Sequence, residues 1–167
     1  MSLKEQLDKQ ISLKEANWVL FLTGWFRIRM IAFSRPRITE LTTDRIVIRI
    51  PLNRRTRNHV GSMYFGALNI GADLAAGFMA YYFARKTGLT ILPVFSRLEA
   101  SYLKRADGDV YFRCSSGDEI LEMLEHCISS PDRITRDLKV TAYLNDPEES
   151  VVAEFTLGLS IKSMKRS

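Results

Sequence analysis

The run Gly61–Arg85, GSMYFGALNIGADLAAGFMAYYFAR, constrains this chain more than any other stretch. Between Met63 and Ala84 it has no proline, no β-branched residue except Ile70, and no formal charge except Asp73. That pattern predicts a helix of about 22 residues, roughly 33 Å long and close to the diameter of a small domain. Apolar residues lie on every side of it, so no face profits from water and the helix needs burial all round. Small residues (Gly66, Ala67, Gly71, Ala72, Ala75, Ala76, Gly77, Ala80) let neighbouring backbones approach closely. A carboxylate within such a rod is costly to desolvate. Asp73 therefore needs a partner, a raised pKa or a chemical task.

What could cover the rod is read from the flanking segments. Residues 3–33 read as helical, with Ser12 and Glu15 in a capping-box pattern at the start of a second helix, and Pro36 closes the region. Residues 37–43 and 45–52 read as strands around Thr42-Thr43-Asp44, the second alternating cleanly through Ile46, Ile48 and Ile50. A loop with Arg54, Arg55 and Arg57 leads to Ser62, the expected N-cap of the central helix, and Gly88 is its expected stop. Residues 94–105 and 109–115 read as a hairpin turning at Asp107-Gly108. A second capping-box pattern, Ser116 with Glu119, opens a short amphipathic helix ending before Pro131. Residues 133–145 and 151–161 alternate at period two about an Asn145-Asp146-Pro147 turn, followed by a basic tail from Lys162 to Ser167. The fold class expected is α+β: a curled antiparallel sheet of about six strands around one long central helix, with extra N-terminal helices. One sheet cannot enclose a rod completely, so a second subunit is expected on the open side.

Composition narrows the function classes. The 167 residues, 46% hydrophobic and 26% charged, suit one domain with a real core. Lys and Arg number 24 against 19 acids, a mild +5 that suits an anionic ligand or simple solubility. No zinc-finger spacing or RNA-binding aromatic motif accompanies it, so no nucleic-acid partner is expected. Cys114 and Cys127, with only His59 and His126 as imidazoles, lack metal-ligand spacing and read as reduced thiols of a cytoplasmic protein. Lys4, Glu5, Asp8 and Lys9 do not open a secretory leader, and the apolar run Trp18–Phe26 is too short to span a bilayer. The central helix is long enough, and Ala67, Gly71 and Ala75 have small-xxx-small spacing. Basic residues on both flanks give no orientation bias, however, and a spanning helix would leave the strands without a core. No membrane span is expected.

The segment Asn58-His59-Val60-Gly61-Ser62-Met63-Tyr64-Phe65-Gly66-Ala67-Leu68, continuing to Gly71-Ala72-Asp73, resembles hotdog-fold acyl-CoA thioesterases. Within them it is most similar to the phenylacetyl-CoA/4-hydroxybenzoyl-CoA thioesterase type and its uncharacterised relatives. Their motif reads Asn-x-x-Gly-x-x-His-Gly-Gly, then an acid on the helix seven residues after the last Gly. Asn58, Gly61, Gly66 and Asp73 fit it, while Tyr64 stands at the His position and Phe65 at the middle Gly. By element order the likeness extends over residues 35–162, which implies a helical extension over 1–34 and a hotdog domain over 35–167.

The resemblance implies hydrolysis of an acyl-CoA or acyl-carrier thioester. Asp73 would be general base or nucleophile, the backbone N–H groups of Phe65 and Gly66 the oxyanion donors, and Asn58 the group positioning water or carboxylate. Phe65 and Asp73 lie about 12 Å apart along one helix, so a homodimer or tetramer is implied in which one chain's acid meets the other's helix tip. The substrate-binding set is Tyr64, Ser62, Arg54, Arg55, Arg57, Lys104 and Arg105, the basic members serving the phosphates of coenzyme A. No cofactor is expected beyond the coenzyme A that the substrate carries, and no metal.

Plainer readings stand beside these. Asp73 is otherwise a buried acid bonded to backbone or arginine. Asn58 closes an Asx-turn, Tyr64 fills space as a buried aromatic, the basic residues form a solvated loop, and His59 and His126 are loop or packing residues. Tyr64 and Phe65 leave open a binding protein that keeps the fold without turnover, or an oligomerisation module. A hotdog dehydratase is disfavoured because the His position is tyrosine.

Overall fold

The computed structural model describes residues 2–164. Three short helices come first: α1 (Leu3–Asp8), α2 (Leu13–Phe26) and α3 (Arg29–Ser34). Ser2 and Glu5 form a reciprocal capping box on α1. At α2 only half of the expected box forms. The Ser12 hydroxyl accepts the Glu15 N–H, but Glu15 turns to Lys86 at 2.5 Å and the Ser12 N–H donates to the Tyr82 hydroxyl. The helical run breaks again after α2, because α3 folds back against it. Gly24 sits at that contact, where a Cβ would stand 2.9 Å from the Ala32 nitrogen. Arg35 ends α3 in the left-handed conformation, φ +53, since the following Pro36 disfavours a further helical residue there.

The strands are β1 (Arg37–Leu41), β2 (Ile46–Ile50), β3 (Val94–Tyr102), β4 (Val110–Cys114), β5 (Ile134–Leu144) and β6 (Val151–Ile161). They form one antiparallel sheet in the order β1-β2-β4-β5-β6-β3, curled around the central helix α4 (Phe65–Lys86). The hairpins β1–β2 and β5–β6 form as the alternation predicts. The expected β3–β4 hairpin does not: β3 pairs with β6 at the far edge, and residues 103–109 cross over instead. Tertiary bonds overrule the Asp107-Gly108 turn signal. The N–H groups of Leu103 and Lys104 both donate to the Val152 carbonyl, and the Ala106 carbonyl accepts the Met63 N–H at 2.7 Å. Asp109 grips Arg49 and accepts the Leu52 N–H at 2.8 Å.

The core lies between α4 and the inner sheet face. Phe112 of β4 lies so close to Gly71 that any Cβ there would overlap its ring. Ala72, Ala75, Ala76 and Ala80 are buried similarly against the strands, which is the use of the small residues. Helix α5 (Gly117–Ser129) closes one end through Ile120, Met123 and Leu124. It starts without the expected Ser116 cap. Gly117 instead presses on the β1–β2 turn, its N–H donating to the Asp44 carbonyl. Helix α4 ends as expected, with Gly88 at φ +73 and the Leu89 N–H donating to the Ala84 carbonyl.

The two sheet edges differ. At β1, the Asn17 side chain of α2 bonds both the N–H and the carbonyl of Ile38, so a helix covers that edge. At β3, nothing among the described residues covers the outer edge, and Val94, Leu98, Tyr102 and Leu103 stand exposed. Cys114 and Cys127 are free thiols. Among the described residues no helix is long and apolar enough to cross a membrane, and no group of three His, Cys, Asp or Glu could hold a metal.

Candidate active site

The helix tip is set by the loop before it. Thr56, buried, accepts the Asn53 N–H and donates to the Pro51 carbonyl, while its own carbonyl accepts the Tyr64 N–H at 2.7 Å. Asn58 closes the second half of the loop. Its Oδ1 accepts the N–H groups of Val60 and Ser62, and its Nδ2 donates to the Ser62 hydroxyl. This is the Asx-turn reading, with the Asn58 amide engaged inside the loop. Ser62, 6% exposed, is bound to Asn58 and is not the N-cap. That position belongs to Tyr64, which makes no side-chain cap. Gly61 permits the turn with φ +87.

Helix α4 therefore begins with an uncapped end. The Ala67 and Leu68 N–H groups bond the Tyr64 carbonyl, whereas those of Phe65 and Gly66 have no acceptor among the described residues. Two free donors at the positive end of a 22-residue helix are a site for developing negative charge. Tyr64 and Phe65 are half exposed, 50% and 57%, so Tyr64 is not the buried filler that its type suggested. The Tyr64 ring folds over Gly66, and Phe65 meets Tyr102 of β3 edge to face at 6.4 Å.

Asp73 lies two turns further on. The face carrying Gly66, Asn69, Ile70, Asp73, Gly77 and Tyr81 is only half buried, so burial all round fails along one stripe. The stripe opens because the sheet curls past α4 without closing on it. Among the described residues no hydrogen bond or ion pair engages the Asp73 carboxyl. Burial alone pushes its pKa up from 3.8 to about 6. Asn69, one turn before it, escaped the sequence reading; it donates to the Phe65 carbonyl and to the Tyr102 hydroxyl at 2.7 Å. The signal was available, since Asn69 is the lone amide on α4 and sits at i−4 from the acid.

The basic residues scatter. Arg105 donates to the Val60 carbonyl at 2.7 Å, beside the loop, with Lys104 exposed next to it. Arg57 bridges Met63 through the backbone, and Arg54 is exposed. Arg55 points elsewhere, its guanidinium 5.5 Å above the Phe33 ring of α3. His59 is exposed on the loop; His126 on α5 buries an Nε2 without a partner among the described residues.

Comparison with known proteins agrees with this architecture. A protein of unknown function from Chlorobaculum tepidum superposes with a TM-score of 0.79 at 15% identity, over 93% of this chain and 99% of its own. A Pseudomonas aeruginosa protein named a probable thioesterase gives 0.69 at 20% identity, over 92% and 97%. A Haemophilus influenzae thioesterase gives 0.65 at 15% identity, over 95% and 96%. At such identities these likenesses speak for the fold, the hotdog architecture. No curated protein sequence matches the chain. Residues 30–161 match the family described as Domain of unknown function (DUF4442), and the chain belongs to that family.

Proposed function

We propose that this protein hydrolyses an acyl thioester of coenzyme A or of an acyl carrier to free acid and thiol, in a site shared by two chains of a homodimer. The observation that carries the reading is the Asp73 carboxyl, half buried and unpartnered on the open face of α4, whose own N-terminus holds two unbonded N–H groups. About 12 Å of helix separates Asp73 from Phe65, so one carbonyl cannot meet both within one chain. A second copy docked along the open stripe and the exposed β3 edge brings its helix tip to the acid.

In that arrangement the thioester oxygen accepts the Phe65 and Gly66 N–H groups of one chain, and the helix end stabilises the oxyanion. Asp73 of the other chain removes a proton from water, whose oxygen bonds to the carbonyl carbon. The C–S bond then breaks, and the thiolate leaves with the proton. In the other route the carboxylate itself bonds to the carbonyl carbon, the C–S bond breaks to expel the thiolate, and water then hydrolyses the anhydride, its protons going to the thiolate and the free acid. Asn58 and Ser62 hold the loop that ends in the donors. Arg54, Arg57, Lys104 and Arg105 stand near that loop for phosphates of coenzyme A. The Tyr64 ring over Gly66 supports the second reading, an acyl-CoA binding protein without turnover.

A panel of acyl-CoA and acyl-pantetheine thioesters separates the readings. Wild type is expected to release thiol on at least one member, and Asp73→Asn to lose about 10²-fold or more, the scale of a missing general base. Tight binding without release on any thioester would favour the binder.

A further inference from the structure

A cleft of about 1500 Å³ lies between α2, α3 and β1, and none of its lining residues belongs to α4. Phe21 and Trp25 of α2 line it beside Lys14, Arg35 and Arg37. The acid on its wall, Asp109, is already paired with Arg49.

The rim of the cleft is aromatic. Trp18, Phe21 and Trp25 recur at i, i+3 and i+7 of α2 and stack as a ladder, with centroids 5.5 and 6.2 Å apart. All three are more than half exposed, and Phe26, Met30 and Phe33 continue the apolar surface. Arg27 and Arg29, between Phe26 and Met30 in the chain, are exposed, and no ion pair among the described residues engages Lys14, Arg27, Arg29, Arg35 or Arg37. An apolar surface of this extent, rimmed by free cations, marks a contact site.

Two occupants compete, a second copy and a lipid surface. A two-fold contact would gather the unpaired cations of both copies into one interface, since an isologous contact uses the same patch twice. An anionic bilayer satisfies both components: arginine and lysine meet lipid phosphates, and indole and phenyl rings settle at the headgroup level. We propose that the α2–α3 face docks this protein peripherally on an anionic bilayer, the Trp18–Phe21–Trp25 ladder entering the interface and Lys14, Arg27, Arg29 and Arg37 engaging phosphates. No residue of this contact belongs to the thioester site, so the two readings stand or fall separately.

Trp18 and Trp25 are the only tryptophans in the chain, so its tryptophan emission reports this face alone. Titrating the full chain with phosphatidylglycerol/phosphatidylcholine vesicles is expected to shift that emission to the blue and to float protein with the vesicles, whereas phosphatidylcholine alone does neither. Lys14→Gln and Arg37→Gln, checked for folding by circular dichroism, are each expected to weaken binding about five-fold, the scale of one cation near an anionic surface. Added salt is expected to weaken it further. Unchanged emission without flotation, or equal binding to both vesicle types, would overturn the proposal. So would a blue shift that follows protein concentration and oligomer mass without lipid, which would give the face to a second copy.

Discussion

Phe65 and Asp73 stand eight residues apart on one helix, and each presents a polar group with no partner among the described residues: a backbone N–H at the tip and a carboxylate on the open stripe. A helix end favours negative charge, and a desolvated carboxylate favours a proton or a cationic neighbour. Neither preference is met within the described residues. The tip can be tested alone, because proline is well tolerated at a first helical position and the preceding Tyr64 has ψ 135, which suits a residue before proline. Phe65→Pro is expected to keep the fold by circular dichroism and to lower kcat about 10²- to 10³-fold, the cost of one oxyanion donor. Unchanged turnover would remove that N–H from the mechanism.

The pH dependence follows from the carboxyl's environment. Burial holds its pKa at about 6, so the proton-accepting form grows as pH rises toward neutrality. Thioester hydrolysis, read as kcat/KM by thiol release, is expected to rise with pH and to level off above about 6. A profile independent of pH between 4 and 8 would exclude Asp73 as the base.

The same shift destabilises the fold at neutral pH. Folding raises the Asp73 pKa from 3.8 to about 6, so its contribution to stability is fully present below the lower value and lost as pH rises through the higher. Asp73→Asn removes the ionisation, and at pH 7.5 it is expected to stabilise by on the order of 2 kcal/mol, raising Tm by about 5 °C. At pH 3, below both values, the variant and wild type should melt together. A gain at both pH values would point to a cause other than the charge.

The exposed β3 edge is where the second copy is proposed to pair. Leu98 stands 44% exposed there. Leu98→Lys is expected to leave a folded 19.1 kDa monomer by light scattering and to lower hydrolysis at least tenfold with Asp73 intact. A dimer of unchanged mass would place the interface elsewhere.

Much of this was legible in the residues. The run from Met63 to Ala84 states a buried helix because no other element accepts so many small and apolar side chains in a row, and β2, β5 and β6 alternate plainly. The partner of β3 was not legible. Asp107-Gly108 is a good local turn signal, but the bonds of Leu103 and Lys104 to Val152 are long-range and overrule it. Ser62 and Ser116 likewise resemble caps by spacing alone; the first is claimed by Asn58, and the second yields to Gly117 packed on the Asp44 turn. Asp73 was legible as an anomaly, though the emptiness around it was not, since that depends on how far the sheet curls.

The most direct measurement is complementation between two inactive variants. Asp73→Asn keeps its helix tip and Phe65→Pro keeps its carboxylate, so a mixed dimer holds one intact site only if the two groups come from different chains. After the pair is unfolded and refolded together, thiol release of about a quarter of the wild-type rate is expected from random two-fold pairing. Release no greater than the sum of the separate variants would contradict a site shared across the dimer.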